Sequence, residues 1–135
     1  MDLFKRYATD ETKELEGIKH FIGPGDEDYI KIARMGNDVF NAEFARLTTE
    51  MREQLESKDV EVQKEAQKEL MVQTMARSIV TGWGKTMTYQ GEPLEFSVEN
   101  AIKVLRHKEF REDVFRIAQN VENYRLETQA KVAKN

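Results

Sequence analysis

Residues Glu14–Asp38 read ELEGIKHFIGPGDEDYIKIARMGND. Ile18, His20 and Ile22 alternate with Lys19 and Phe21, and Ile30 and Ile32 alternate with Tyr29 and Lys31. A period of two with β-branched residues at the repeating positions argues for strands. The two runs, Gly17–Ile22 and Asp28–Ala33, are joined by Gly23-Pro24-Gly25-Asp26-Glu27, which suits a hairpin with a longer turn. A lone hairpin is marginal in water, so one of its faces has to pack against the rest of the chain.

The rest reads as helix. Asn37 suits an N-cap, and Val39, Phe40, Phe44, Leu47, Met51 and Leu55 form an apolar stripe running to about Ser57. Asp59 can cap a second helix that buries Leu70, Met71, Met75 and Ile79, with Gly82 placed to stop it. Ser97 can cap a third, carrying Val98, Ala101, Ile102 and Leu105. After a break at Arg106–Glu109, a fourth carries Phe110, Val114, Ile117, Ala118, Val121 and Tyr124. The expected fold is α+β and mainly α-helical: an N-terminal β-hairpin packed on a bundle of about four helices. The expected organisation is a single domain, 1–135. It has an N-terminal arm at 1–12, the hairpin at 13–34, a helical body at 37–126 and a flexible tail at 127–135.

Composition narrows the function. The 135 residues are 39% hydrophobic and 34% charged, with a formal net charge of −4. An acidic balance argues against non-specific binding to nucleic acid or to an anionic membrane. With no cysteine there is no disulfide, thiol nucleophile or thiolate metal site, which fits a reducing compartment. The first residues hold no apolar run, so no signal peptide is expected, and no stretch approaches the roughly 20 apolar residues of a membrane span.

Gly84-Lys85-Thr86 resembles the end of a phosphate-binding loop. The full pattern G-x-x-x-x-G-K-[ST] requires glycine at position 79, which is Ile79. A helix pattern precedes the triplet and no helix follows it, so the stretch reads as a helix exit. In that reading Gly82 and Gly84 supply positive φ, Trp83 folds back on the core, and Lys85-Thr86 is incidental. His20 and His107 share no metal-ligand spacing. The carboxylates are interleaved with Lys and Arg at helical spacing, as on a solvated face. No nucleophile elbow is present. The expectation is a protein that is not an enzyme and takes no cofactor and no metal. More distinctive are Trp83, Met87, Tyr89, Leu94 and Phe96, gathered between two helices. They line the core or form a partner surface, since adaptable Met and aromatic residues favour binding hot spots.

The same connector carries a family resemblance. Trp83, then Gln90-Gly91-Glu92-Pro93-Leu94-Glu95-Phe96-Ser97-Val98-Glu99-Asn100-Ala101 and a leucine-containing helix, resembles the tail assembly chaperones of long-tailed, siphovirus-type bacteriophages. FKRYATDETKELEG and IKIARMGNDVFNAEF add to it, so the similarity spans most of Phe4 to Tyr124. WGKTM departs from the family in being more basic. The connector also has a local reading. Gln90-Gly91 makes a turn, Pro93 fixes an extended approach, Phe96 can staple to Ala101 or Ile102, Ser97 caps, and Glu99 faces the positive helix end.

The resemblance implies a chaperone that binds the tape measure protein, keeps it soluble and assists tail tube assembly. It would act in the host cell cytoplasm and leave before the virion matures. It also implies contact with tail tube protein through a longer form made by programmed −1 frameshifting, for which Ala133-Lys134-Asn135 is compatible with a slippery A-AAA-AAC. Self-association is left open; nucleic acid and membrane are not expected partners. The alternative is a small acidic phage adaptor or inhibitor that binds a host protein.

Overall fold

A computed structural model describes residues 1–126 of the chain. The expected tail at 127–135 and the Ala133-Lys134-Asn135 end lie outside the described residues. The architecture is α+β and mainly helical, with a three-stranded antiparallel sheet.

Two short helices open the chain, α1 (Leu3–Tyr7) and α2 (Glu11–Glu16). The segment read as an N-terminal arm is therefore helical, because aspartates satisfy the first free amides of each turn. Asp2 accepts from the Phe4 amide, and Asp10 accepts from the Thr12 and Lys13 amides.

The hairpin follows as β1 (Ile18–Phe21) and β2 (Tyr29–Ile32). Ile18 pairs with Ile32 and His20 with Ile30, so the period-two residues face each other, with Ile30 and Ile32 buried.

Beyond β2, Asn37 caps α3 (Asp38–Glu50) by accepting from the Phe40 amide; its Nδ2 donates to the Arg34 and Ser78 carbonyls. One buried side chain thus ties the start of α3 to the end of the central helix. The run expected as one helix to Ser57 is divided at Met51, and α4 (Arg52–Leu55) completes it.

The central helix is α5 (Val60–Ser78), capped by Asp59. Its second half is buried nearly all round: Leu70, Val72, Thr74, Met75, Ala76 and Ser78. The Thr74 hydroxyl donates to the Leu70 carbonyl and the Ser78 hydroxyl to the Thr74 carbonyl, so both polar side chains are satisfied inside. Helices α3, α4 and α6 (Val98–Leu105) pack on α5, and α7 (Lys108–Gln119) packs on α6 and β2. Ser97 caps α6. The fourth expected helix stops at Gln119, and Val121–Tyr124 forms a 3-10 turn capped by Asn120. Val72, Met75, Ile79, Val80, Leu105 and Val114 join Ile30 and Ile32 in one core.

The largest departure from the sequence reading lies at the end of α5. Residues Val80–Trp83 form β3, the third strand, antiparallel to β2. Gly82 is a strand residue opposite Lys31 and does not stop the helix. Neither Gly82 nor Gly84 has positive φ; the positive-φ glycines are Gly17, Gly36 and Gly91. The tight β-branched run Ile79-Val80-Thr81 favours extension over another helical turn, and β3 supplies the partner a two-stranded hairpin lacks.

Candidate functional site

The connector between β3 and α6 is ordered by its own side chains. It contains a small hairpin, β4 (Thr88–Tyr89) and β5 (Glu92–Pro93). Gln90 and Gly91 both have positive φ, 52° and 82°, as a two-residue type I′ turn requires. The Leu94 amide donates to the Met87 carbonyl and continues the pairing.

The structure brings four of the five candidate residues together and places the fifth beside them. Trp83 meets Phe96 edge-on, with ring centroids 5.0 Å apart and planes at 87°. The Trp83 indole Nε1 donates to the Leu94 carbonyl at 2.8 Å. Trp83, Met87 and Phe96 are half-buried and lean on the core. Tyr89 turns the other way, toward α6 and α7. Its hydroxyl is 2.6 Å from His107 Nε2, and the Lys103 ammonium lies 4.5 Å above its ring. His107 is the N-cap residue of α7, so its position at the end of α6 serves this contact. Between Trp83, Lys85, Pro93, Leu94 and Phe96 lies a cleft of about 380 Å³.

The Gly84-Lys85-Thr86 triplet has a structural job that sequence reasoning missed. The Gly84 amide donates to the Tyr29 carbonyl at 3.0 Å, and a Cβ at position 84 would lie 1.8 Å from the Glu27 carbonyl oxygen. The Lys85 amide donates to the Glu27 carboxylate, and the Thr86 hydroxyl bonds to the Glu27 carbonyl and the Asp28 carboxylate. The triplet clamps the β1–β2 turn, so Thr86 is not incidental. The Thr86 hydroxyl and the Gly25 amide hold the Asp28 carboxyl below its ordinary range. The legible signal was Gly84 itself, since glycine inside an extended stretch often marks close approach of another backbone.

Among the described residues no group of three or more His, Cys, Asp and Glu is placed to hold a metal ion. Nor is any helix there long and apolar enough to cross a membrane. His20 lies on β1 and His107 at the start of α7, in different contacts.

Fold and connector together define a small helix-dominated α+β domain whose aromatic side chains organise a surface cleft. The chain belongs to the YdaY prophage protein family, whose sequence profile matches residues 35–135. It is therefore of phage origin. The match begins after β2, so α1, α2 and the hairpin lie outside it. No curated protein and no solved structure matches the chain.

Proposed function

We propose that this prophage protein is a tail assembly chaperone that binds the tape measure protein and keeps it soluble while the tail tube is built. The observation that carries the reading is α1. Its Leu3, Phe4 and Tyr7 are 68%, 69% and 64% exposed on a five-residue helix. Three large apolar side chains in water on one turn mark a surface made for an apolar partner. The helix is nonetheless anchored: the Arg125 guanidinium donates to the Arg6 carbonyl, and the Asp10 amide donates to the Tyr124 carbonyl. Phage origin and the Trp83–Ala101 pattern support the same assignment. The role asks for no chemical step from the protein, and ATP would have no effect on it. Contact with tail tube protein through a frameshifted longer form belongs to this reading, and an open −1 frame in the nucleotide sequence is what it requires.

The test is co-expression with tape measure fragments, followed by static light scattering. The fragments should stay soluble with the protein and aggregate with the Phe4→Ser/Tyr7→Ser variant. Equal aggregation with and without the wild-type protein would remove the chaperone assignment.

A further inference from the structure

A second apolar surface lies at the far end of the helical body, between α4 and the start of α5. A groove of about 460 Å³ there is lined by Met51 and Gln54, by Val62 and Ala66 as its apolar floor, and by three carboxylates, Glu61, Glu65 and Glu69. Val62 is 41% exposed, so the floor meets water. Nothing in the connector or α1 uses this surface.

The charge around the groove selects its occupant. From Glu50 to Glu65 the chain has six carboxylates (Glu50, Glu53, Glu56, Asp59, Glu61, Glu65) against three basic residues (Arg52, Lys58, Lys64). That is a net −3 out of the whole chain's −4. Two of the three lining carboxylates already have surface ion pairs, Glu65 with Lys68 at 3.4 Å and Glu69 with Arg106 at 2.8 Å. No ion pair forms at Glu61 among the described residues.

We infer that the α4–α5 groove docks a cationic amphipathic helix of another protein. Its apolar side chains sit on Val62 and Ala66, and its flanking Lys or Arg residues face Glu61 and Glu65. Helix-in-groove binding needs an apolar floor for the anchors, and a rim of one sign chooses the partner's charge and speeds its approach. The inference deepens the chaperone reading and rests on it for the identity of the client helix.

The probe is a synthetic helical peptide of about 18 residues, with a Leu/Ala face flanked by lysines, against an analogue with glutamates in their place. Fluorescence anisotropy with the full chain should show the cationic peptide binding at least about tenfold more tightly, with the difference shrinking as salt rises. Val62→Asn and Glu61→Lys/Glu65→Lys, both surface changes checked for folding by circular dichroism, should each weaken it by a similar factor. Equal binding of the two peptides, no binding, or indifference to both variants would overturn the inference. So would a concentration-dependent dimer lost on Phe4→Ser and Val62→Asn alike, which would give the groove to a second copy. The two readings separate cleanly. A wild-type protein that keeps tape measure fragments soluble yet binds the two peptides equally, or neither, sinks the groove alone. A wild-type protein that binds the peptide but fails on the fragments sinks the chaperone reading alone.

Discussion

Trp83 stands edge-on to Phe96 and donates its indole N–H to the Leu94 carbonyl, closing the connector onto the core across eleven residues. The ring is half-buried and its polar atom is satisfied within the chain, so truncation removes packing and a hydrogen bond together. Trp83→Ala should cost about 3 kcal/mol in urea denaturation. Trp83→Phe keeps most of the packing and should cost about 1 kcal/mol, the worth of one hydrogen bond. A Trp83→Ala protein as stable as wild type would mean the indole serves a partner instead.

Gly84 and Gly82 make a matched pair of tests. An alanine Cβ at position 84 would meet the Glu27 backbone at 1.8 Å, whereas at position 82 it meets only the Lys31 side chain, at 3.7 Å. Gly84→Ala should destabilise by about 3 kcal/mol, because the hairpin turn has to move away. Gly82→Ala should stay within about 0.5 kcal/mol of wild type. Thermal melts of both variants decide it; equal effects would mean that the triplet does not hold the turn.

Much of this was legible in the sequence and some was not, for reasons tied to particular residues. The β1–β2 hairpin and the caps Asn37, Asp59 and Ser97 stand where local pattern put them, because period-two alternation and capping are short-range effects. Strand β3 was hidden because Ile79 continues the α5 stripe, and only pairing with β2, some fifty residues earlier in the chain, pulls Val80 onward into extension. The clamp on Glu27 and Asp28 is also non-local, so Thr86 gave no sign of it. In the connector, the turn at Gln90-Gly91 follows from its residue types, but the Trp83–Phe96 contact and the Tyr89–His107 pair needed the fold. The α4–α5 groove was not legible, because Val62 and Ala66 stand among charged and amide side chains at the start of α5 and meet Met51 only in the fold.

The Thr86–Asp28 contact predicts an acid response. The Asp28 carboxyl titrates lower in the folded protein than in the unfolded chain, chiefly through the Thr86 hydroxyl. Its contribution is therefore present above the ordinary aspartate range and is lost as pH falls through that range toward the folded value. Thr86→Val should be less stable than wild type at neutral pH, and the gap should narrow in acid. A gap that stays constant from neutral to acid pH, measured by urea denaturation, would show that the hydroxyl acts through its neutral contacts alone.

Tyr124 predicts the alkaline side. Its ring is fully buried, and its hydroxyl donates to the Ile32 carbonyl at 2.9 Å, joining the 3-10 turn to the central strand of the sheet. Tyr124→Phe keeps the ring and leaves that carbonyl short of a partner, at a cost of about 1–2 kcal/mol. Tyr124→Ala should cost about 4 kcal/mol, because it also opens a cavity beneath β2. Burial raises the phenol well above its ordinary value, and the Arg34 charge offsets this only in part. A raised folded pKa means that the folded state holds the proton more tightly than the unfolded chain. The resulting stability is complete below the ordinary tyrosine pKa of about 10 and is lost as pH climbs past it toward the folded value. Wild type should therefore lose stability between roughly pH 9.5 and 11 faster than Tyr124→Phe, which has no phenol to titrate at this position. The other tyrosines and the lysines are common to both proteins, so the difference between the two urea midpoints isolates position 124. Parallel curves through that range would mean that Tyr124 ionises as readily folded as unfolded, and the buried hydrogen bond to Ile32 would have to be given up.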